Sequence, residues 1–276
     1  MLTTAELLRV NTVPLNTMAY NIETWTGRGR VPGRRGSNIA VHARHGFIRT
    51  KQKKFNGAEV ILAMWVIGAD EDGLVPSNPL RRALLKANSD KLVRLFGADT
   101  QEWVQVQPDG SERRIFGEVT EPIDFFAEPG ELARFPVAMG SWMAFWEDAI
   151  PIVASFIGEG NWSVTGFAAA TAPCDELTVT LNGPCTNPKI QSEDIWVQYN
   201  AVIPAGHGIV INCATWILTG TGGLVPNYAA LGHGGDGRWF VLKAGIPPMP
   251  PIVVVSDTSP NPVNVTLAGR RKYLKA

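Results

Sequence analysis

The chain has 276 residues with 25 Lys or Arg and 25 Asp or Glu, so its formal net charge is zero, and 45% of its residues are hydrophobic. That length suits one large or two ordinary domains whose cores need no covalent staples, and the neutral balance argues against a protein that works through bulk charge on nucleic acid. Cys174, Cys185 and Cys213 are an odd number without CxxC spacing, which argues against a disulfide framework and a zinc site and points to buried free thiols.

In chain order, Met1 to Val10 holds Glu6 and lacks the cleavage pattern of a signal peptide, so synthesis in a cytoplasm without export is expected. Met18, Tyr20 and Ile22 alternate along a first strand. From Thr24 to Ala58 the chain then carries nine Lys or Arg and no acid. Gly27, Gly29, Gly33, Gly36, Gly46 and Pro32 forbid a stable helix there, since each Gly costs about 1 kcal/mol and Pro about 3 relative to Ala. Ile39, Val41 and Ala43 alternate with polar neighbours, so residues 24–58 read as a hairpin-like arm. Folded in two, about 13 residues per leg at about 3.3 Å each reach about 40 Å, enough to lie across a neighbouring subunit.

Glu59 to Ile67 is apolar enough for a central strand covered on both faces, and at Val60 to Ile67 it is too short to span a bilayer, so no membrane insertion is expected. Asp70, Glu71 and Asp72 form an acidic turn without the remaining ligands of a calcium loop. Ser77, Asn78 and Pro79 signal a helix start, and Leu80, Leu84, Ala87, Leu92 and Leu95 predict an amphipathic helix over 79–96 ending at Gly97. Glu102 to Val106 and Arg113 to Val119 flank Pro108-Asp109-Gly110 as a hairpin. Phe135, Val137 and Met139 close a first domain spanning 1–145.

A second domain, 146–276, is predicted as strands at short intervals: Ser163 to Ala168, Leu177 to Leu181, Ile195 to Tyr199, Gly208 to Cys213, Arg238 to Lys243, Ile252 to Val255 and Val263 to Leu267. Gly, Pro and Asn separate them, the pattern of an antiparallel sandwich. Gly245 to Pro251 is too rich in proline for a central strand and reads as a surface connection.

Signals for catalysis and cofactors are weak. There is no GxSxG elbow, no HExxH, and Gly220 to Gly223 lacks the Lys-Ser/Thr of a phosphate loop. His42 and His45 have a helical spacing on an extended arm, and Asp175 and Glu176 have no partner His. No enzyme activity, metal or cofactor is expected. Trp162, Trp196, Trp216 and Trp239 are each read as core before sugar-stacking platform, with Trp196 and Trp239 the pair singled out for stacking. Only Phe47 and Phe55 interrupt the basic run, too few aromatics for single-strand recognition, so no specific nucleic acid is expected.

Charge is the stronger signal. Asp99 to Glu131 holds nine acids against Arg113 and Arg114, so the first domain is electrically polarised and suited to bind copies of itself head to tail.

Gly33-Arg34-Arg35-Gly36-Ser37-Asn38, Arg44-His45-Gly46, Met64-Trp65-Val66-Ile67-Gly68 and Leu92-Val93-Arg94-Leu95-Phe96-Gly97 resemble, in order and spacing, the distal tail protein (Dit) family of long-tailed (siphovirus) phages, especially those infecting actinobacteria. Phe135 to Trp146 resembles that family's domain junction, and Asn187-Pro188, Trp196-Val197-Gln198-Tyr199-Asn200 and Val210 to Cys213 resemble its carboxy-terminal domain.

The resemblance implies a mainly β protein: an N-terminal β-barrel or sandwich with one α-helix and an extended β-arm, then a C-terminal galectin-like antiparallel β-sandwich. It implies a structural virion protein at the phage tail tip, a hexameric ring joining tail tube and tape-measure protein to the tail-tip hub, other minor tail proteins and the receptor-binding apparatus. The arm residues Arg34, Arg35, Ile39, Val41, Arg44, Phe47 and Arg49 are then expected to meet Glu102, Asp109, Glu112, Glu118 and Glu121 of the neighbouring copy. The competing reading is a carbohydrate-binding adhesion module, with cell-wall carbohydrate held by the C-terminal sandwich.

Overall fold

The computed structural model describes residues 8–26, 34–35, 39–40, 47–48, 54–55, 57–123, 126–127, 132–234, 240–243, 250–257 and 263–274, with the backbone alone for the short strands between 34 and 55 and for 126–127. The fold is mainly β, with one α-helix among the described residues, and divides into two units, Met1–Ala149 with Leu274–Ala276, and Ile150–Tyr273.

In the first unit an antiparallel sheet runs in the order Val13–Pro14, Leu8–Val10, Gln101–Val106, Glu112–Val119, Leu132–Gly140, Glu59–Ile67, Tyr20–Thr26. The predicted hairpin forms: Glu112 to Gly117 pair with Val106 back to Gln101. Glu118 and Val119 leave that partner and pair with Gly140 and Met139. The crossover happens at Gly117, where a Cβ would lie 2.3 Å from Met139 Sδ and 2.6 Å from the Gly140 carbonyl. Trp146–Asp148 adds to Arg113 and Arg114 of the same strand, so these three residues belong to the first unit.

The strand Glu59–Ile67 differs from the expectation of cover on both faces. Val60, Leu62, Met64 and Val66 are buried, whereas Ile61 is 41% exposed and the other face is only partly covered. Met18 lies before the first long strand, which begins at Tyr20, and is 67% exposed. The helix, Asn78–Phe96, starts as predicted with Ser77 as N-cap and Pro79 in its first turn. Its apolar stripe is shallower than predicted, since only Leu92 and Phe96 are buried and Leu80 is exposed. Polar ties hold it instead: Asn88 Nδ2 donates to the carbonyls of Ile67 and Ala69 at 2.9 and 3.0 Å. At its far end the buried Gln101 donates to the Phe96 carbonyl at 2.6 Å and accepts from Trp103 Nε1 at 3.0 Å, satisfying a helix-end carbonyl that would otherwise be orphaned.

The second unit is a β-sandwich of two five-stranded antiparallel sheets. One runs Ile152–Ile157, Asn264–Gly269, Thr178–Asn182, Gly208–Asn212, Ile217–Thr221; the other runs Gly160–Trp162, Ile252–Val255, Lys189–Ser192, Ile195–Tyr199, Leu231–Gly234. Val179, Leu181, Ile211 and Leu267 of the first meet Ile190, Val197, Tyr199 and Val254 of the second in one continuous core. The strand expected over 163–168 is a 3-10 helix at Thr165–Phe167, because that turn is what delivers Phe167 fully into the core. Of the strand expected over 238–243, the described part carries a single bridge, Leu242 to Cys174. The expected connection 245–251 lies mostly outside the described residues.

Cys174, Cys185 and Cys213 are buried free thiols. Burial pushes the Cys185 thiol up to about 11 and the Cys213 thiol up to about 12. Since the thiolate is the reactive form, native protein at pH 8 is expected to react with an aromatic disulfide reagent only after denaturant is added. Rapid labelling of the folded chain would contradict that placement.

Candidate functional site

The arm pairs with itself. Arg34 and Arg35 lie opposite Phe55 and Lys54, and Ile39 and Ala40 lie opposite Ile48 and Phe47, two nested antiparallel ladders of one hairpin. The strands that lead into it and out of it, Tyr20–Thr26 and Glu59–Ile67, also pair with each other, ending at Thr26 opposite Ile61. The Arg34 to Phe55 pair is shifted by two residues from the register that the Thr26 to Ile61 and Ile39 to Ile48 pairs share, and the basic segment lies in the chain between two paired core strands. Val41, Arg44 and Arg49, with His42 and His45, lie outside the described residues.

The acidic candidates divide by environment. Glu102 and Glu112 are already engaged within the chain: Glu102 Oε1 accepts from Arg114 Nη1 at 3.0 Å, and Glu112 pairs with Arg9. Arg114 also donates from Nε to the buried Glu147 at 2.9 Å and lies 4.8 Å over the Phe116 ring, so one guanidinium ties three strands. Asp109 sits at the exposed hairpin tip, where it accepts from Ser111 Oγ at 2.6 Å and Ser111 N at 2.9 Å. These Ser111 bonds hold its carboxyl below the usual value. Glu118 and Glu121 are exposed on the strand after the Gly117 crossover and just beyond it. Of the acidic set, Asp109, Glu118 and Glu121 therefore remain as acceptors for an external cation, and the sequence carried no signal that Arg9 and Arg114 claim the other two.

In the second unit, Asp175 and Glu176 do not form an acid/base pair. Both bind Lys272, at 2.7 and 2.9 Å, and the Lys272 side chain is only 7% exposed while theirs are 54% and 56% exposed. Burial works against the Lys272 charge, but the Asp175 and Glu176 carboxylates outweigh it and hold its pKa above 10.5. A raised lysine value means this stabilisation is present below 10.5 and is lost as pH rises through the folded pKa. The asymmetry in exposure makes a prediction. Lys272→Met leaves two carboxylates that water can still reach, whereas Asp175→Asn with Glu176→Gln leaves a buried ammonium, so the double variant is expected to lose more stability, about 3 kcal/mol or more. Urea unfolding checks the order.

The tryptophans also separate. Trp162 packs on Phe156, ring centroids 5.9 Å apart, as part of the core. Trp196 faces outward, but its ring rests on Gly232 and Gly234 of the adjacent strand, where a Cβ on Gly234 would come within 2.1 Å of Nε1. The Lys189 ammonium lies 4.8 Å from the centroid of that ring, which reduces the area left for stacking a sugar. Trp239 lies outside the described residues. Trp216 is the most open of the three described: it is 58% exposed at the turn between Gly208–Asn212 and Ile217–Thr221, with φ of 63°. That left-handed conformation costs a bulky residue about 1–2 kcal/mol. Asn212 pins the turn, its Oδ1 accepting from Ala214 N and Thr215 N at 3.0 and 3.1 Å.

Beside Trp216 lies the outer face of the sheet that Ile152–Ile157 opens. Register aligns its outward residues in three cross-strand rows. The middle row is Ser155, Thr266, Thr180, Val210 and Thr219. One flanking row is Ile157, Asn264, Asn182, Gly208 and Thr221, and the other is Val153, Ala268, Thr178, Asn212 and Ile217. None of these positions is charged, in a chain that is 18% charged.

Among the described residues, no three His, Cys, Asp or Glu come together in a way that could hold a metal ion, and no helix is long and apolar enough to cross a membrane.

The described residues form two compact units, the first a sheet with one helix and a basic β-hairpin outgrowth and the second a sandwich, and this fold is similar to that of a solved phage protein. One solved structure sharing this fold is the crystal structure of SPP1 Dit (gp 19.1), described as a paradigm of the hub adsorption apparatus in phages that infect Gram-positive bacteria. The match has a TM-score of 0.65 at 11% sequence identity and covers 96% of this chain and 98% of that one. No protein-family model and no curated protein matches the chain.

Proposed function

We propose that this chain is a structural protein of the phage virion, placed at the distal end of the tail and made in the host cytoplasm. In this reading it forms a hexameric ring that joins the tail tube and tape-measure protein to the tail-tip hub, to other minor tail proteins and to the receptor-binding apparatus. It acts by assembly, without catalysis or a cofactor. The observation that carries the proposal is a fold likeness to SPP1 Dit extending over nearly the full length of both chains. The ordered glycine-basic motifs of the arm, read from sequence independently of the fold, support the same assignment.

Within the ring, the arm of one copy lies against the acidic flank of the next. Asp109, Glu118 and Glu121 serve as its electrostatic partners, while Glu102 and Glu112 keep their internal pairs with Arg114 and Arg9. A heterologous contact of this kind closes only when the rotation per copy fits the ring. Negative-stain images of the purified chain are expected to show a rotationally symmetric annulus, and antibody-gold labelling of virions to mark the tail end away from the head. A chain that stays monomeric at all concentrations and labels no tails would remove this assignment.

A further inference from the structure

We propose that the edge strand Ile152–Ile157 of the second unit pairs antiparallel with the same strand of a second copy, across a twofold axis at Ser155. This contact goes beyond the tail-tip role and does not depend on it.

The strand ends one five-stranded sheet and has a single neighbour there, Asn264–Gly269. Gly158 N donates to the Val263 carbonyl at 2.8 Å, and the register from Ile157 opposite Asn264 to Ile152 opposite Gly269 continues from that bond without a bulge. In an antiparallel ladder alternate residues bond inward, here Phe156, Ala154 and Ile152. Val153, Ser155 and Ile157 therefore turn their N–H and C=O groups away from the sheet, and among the described residues these backbone groups have no hydrogen-bond partner. Such a row is a template for another strand.

The other edges of the sandwich are blunted. At the far end of the same sheet Tyr228 Oη accepts from Leu218 N at 3.0 Å and donates to the Leu218 carbonyl at 3.4 Å, and the Leu224 carbonyl lies so close to Gly220 that a Cβ there would overlap it. In the second sheet the edges are the short strand Gly160–Trp162 and the strand Leu231–Gly234, which holds Gly232 and Gly234. Short and capped strands are how soluble proteins keep edges from pairing. Ile152–Ile157 has neither protection, and its sequence, Ile-Val-Ala-Ser-Phe-Ile, holds no charge, proline or glycine, the composition that most readily adds a strand.

What this edge fits is itself. With the two copies of Ser155 opposite each other, Val153 of either strand faces Ile157 of the other, and every outward backbone group finds a partner. Val153 and Ile157 are 63% and 65% exposed, and the pairing sets them side by side on the outer face. None of the three rows of that face is charged, so two copies bring no like charges together. A charged segment of another protein would find no counterion there. Because Tyr228 caps the opposite edge, pairing stops at two copies and does not propagate into a fibre. A ladder this short is at the small end of interfaces, so the association depends on concentration.

The test is disulfide trapping on the full chain. Cys174, Cys185 and Cys213 are buried, so Ser155→Cys supplies the accessible thiol. With oxidised glutathione this variant is expected to form a covalent dimer whose yield rises with protein concentration, since facing residues in such a ladder have Cα atoms about 5.5 Å apart, within reach of a disulfide. Val225→Cys, at a residue 83% exposed in the loop beyond the far edge, should stay monomeric. Adding Val153→Lys with Ile157→Lys to Ser155→Cys sets like charges opposite each other on both sides of the axis and should cut the yield about tenfold. Val153→Lys with Ile157→Glu sets opposite charges there and should restore it. Both positions are exposed, so the melting temperatures should match. The arm is scored separately: with Arg34, Arg35, Arg44 and Arg49 all replaced by Glu, trapping through Ser155→Cys should be undiminished. The proposal is overturned if Ser155→Cys stays monomeric, if Val225→Cys cross-links as readily, if the two charge variants behave alike, or if trapping needs the intact arm.

Discussion

Replacing Arg34, Arg35, Arg44 and Arg49 together with Glu is expected to give a folded chain that no longer assembles into rings. The arm's described backbone pairs with itself, apart from the sheet of the first unit. The loss should therefore appear in oligomeric state and not in the melting temperature. Each exposed ion pair contributes only about 0–1 kcal/mol, so the four arginines do not supply the bulk of the interface energy. Ile39, Val41 and Phe47 are assigned that contact area, and the arginines select orientation, since like charges brought together are penalised far more than a missing pair. The internal pairing of Glu102 and Glu112 sharpens the test. Adding Glu118→Arg and Glu121→Arg to the reversed arm should restore assembly, whereas reversing Glu102 or Glu112 should damage the fold itself. Light scattering at low salt reads both results, and rings that persist in the four-Glu variant would remove the arm's steering role.

The parts of this fold that were readable from sequence are those fixed by local chemistry. Pro108-Asp109-Gly110 sets the hairpin because Gly110 takes φ of 82° and Asp109 caps Ser111. Ser77 to Pro79 and Gly97 bracket the helix for similar local reasons. The misreadings came where tertiary packing decides. Phe167 reaches the core from a 3-10 turn, so its neighbours fail as a strand although their composition suits one. Leu80 satisfies the helical period but stays exposed, because Asn88 and Gln101 hold the helix by hydrogen bonds in place of a broad apolar stripe. The candidate site shows the same division. Polarity between arm and flank is visible in a one-dimensional count, but which acids are already spent depends on Arg9, brought to Glu112 across about 100 residues of chain, and on Arg114, which reaches Glu102 across the hairpin. The uncharged sheet face is invisible in sequence for that reason: its residues come from five strands, and only register collects them.

Arg114→Met is expected to destabilise the first unit by about 3–5 kcal/mol, the cost of leaving a buried charge without its counterion. The Arg114 side chain is 20% exposed and that of Glu147 is 4% exposed, so water cannot replace the guanidinium at the Glu147 carboxylate. Methionine keeps most of the arginine stem's packing over Phe116 while removing the charge, which separates electrostatic loss from lost contact area. A second substitution isolates the cause. Glu147→Gln in the Arg114→Met background removes the stranded charge and should recover a good part of the stability, an interaction energy that a double-mutant cycle measures directly. The exposed helix pair Lys86 and Asp90, at 2.6 Å, is the internal control, and Lys86→Ala should change stability by about 0.5 kcal/mol or less. Denaturant unfolding followed through Trp103 and Trp146, both buried in this unit, reports all of these variants. A loss below about 1 kcal/mol for Arg114→Met would place the guanidinium with ordinary surface pairs. The larger loss would mean that the acidic flank offered to a neighbouring copy is anchored from behind by a charge the fold cannot spare, which is why Glu118 and Glu121, beyond that anchor, are the residues free to vary with the partner.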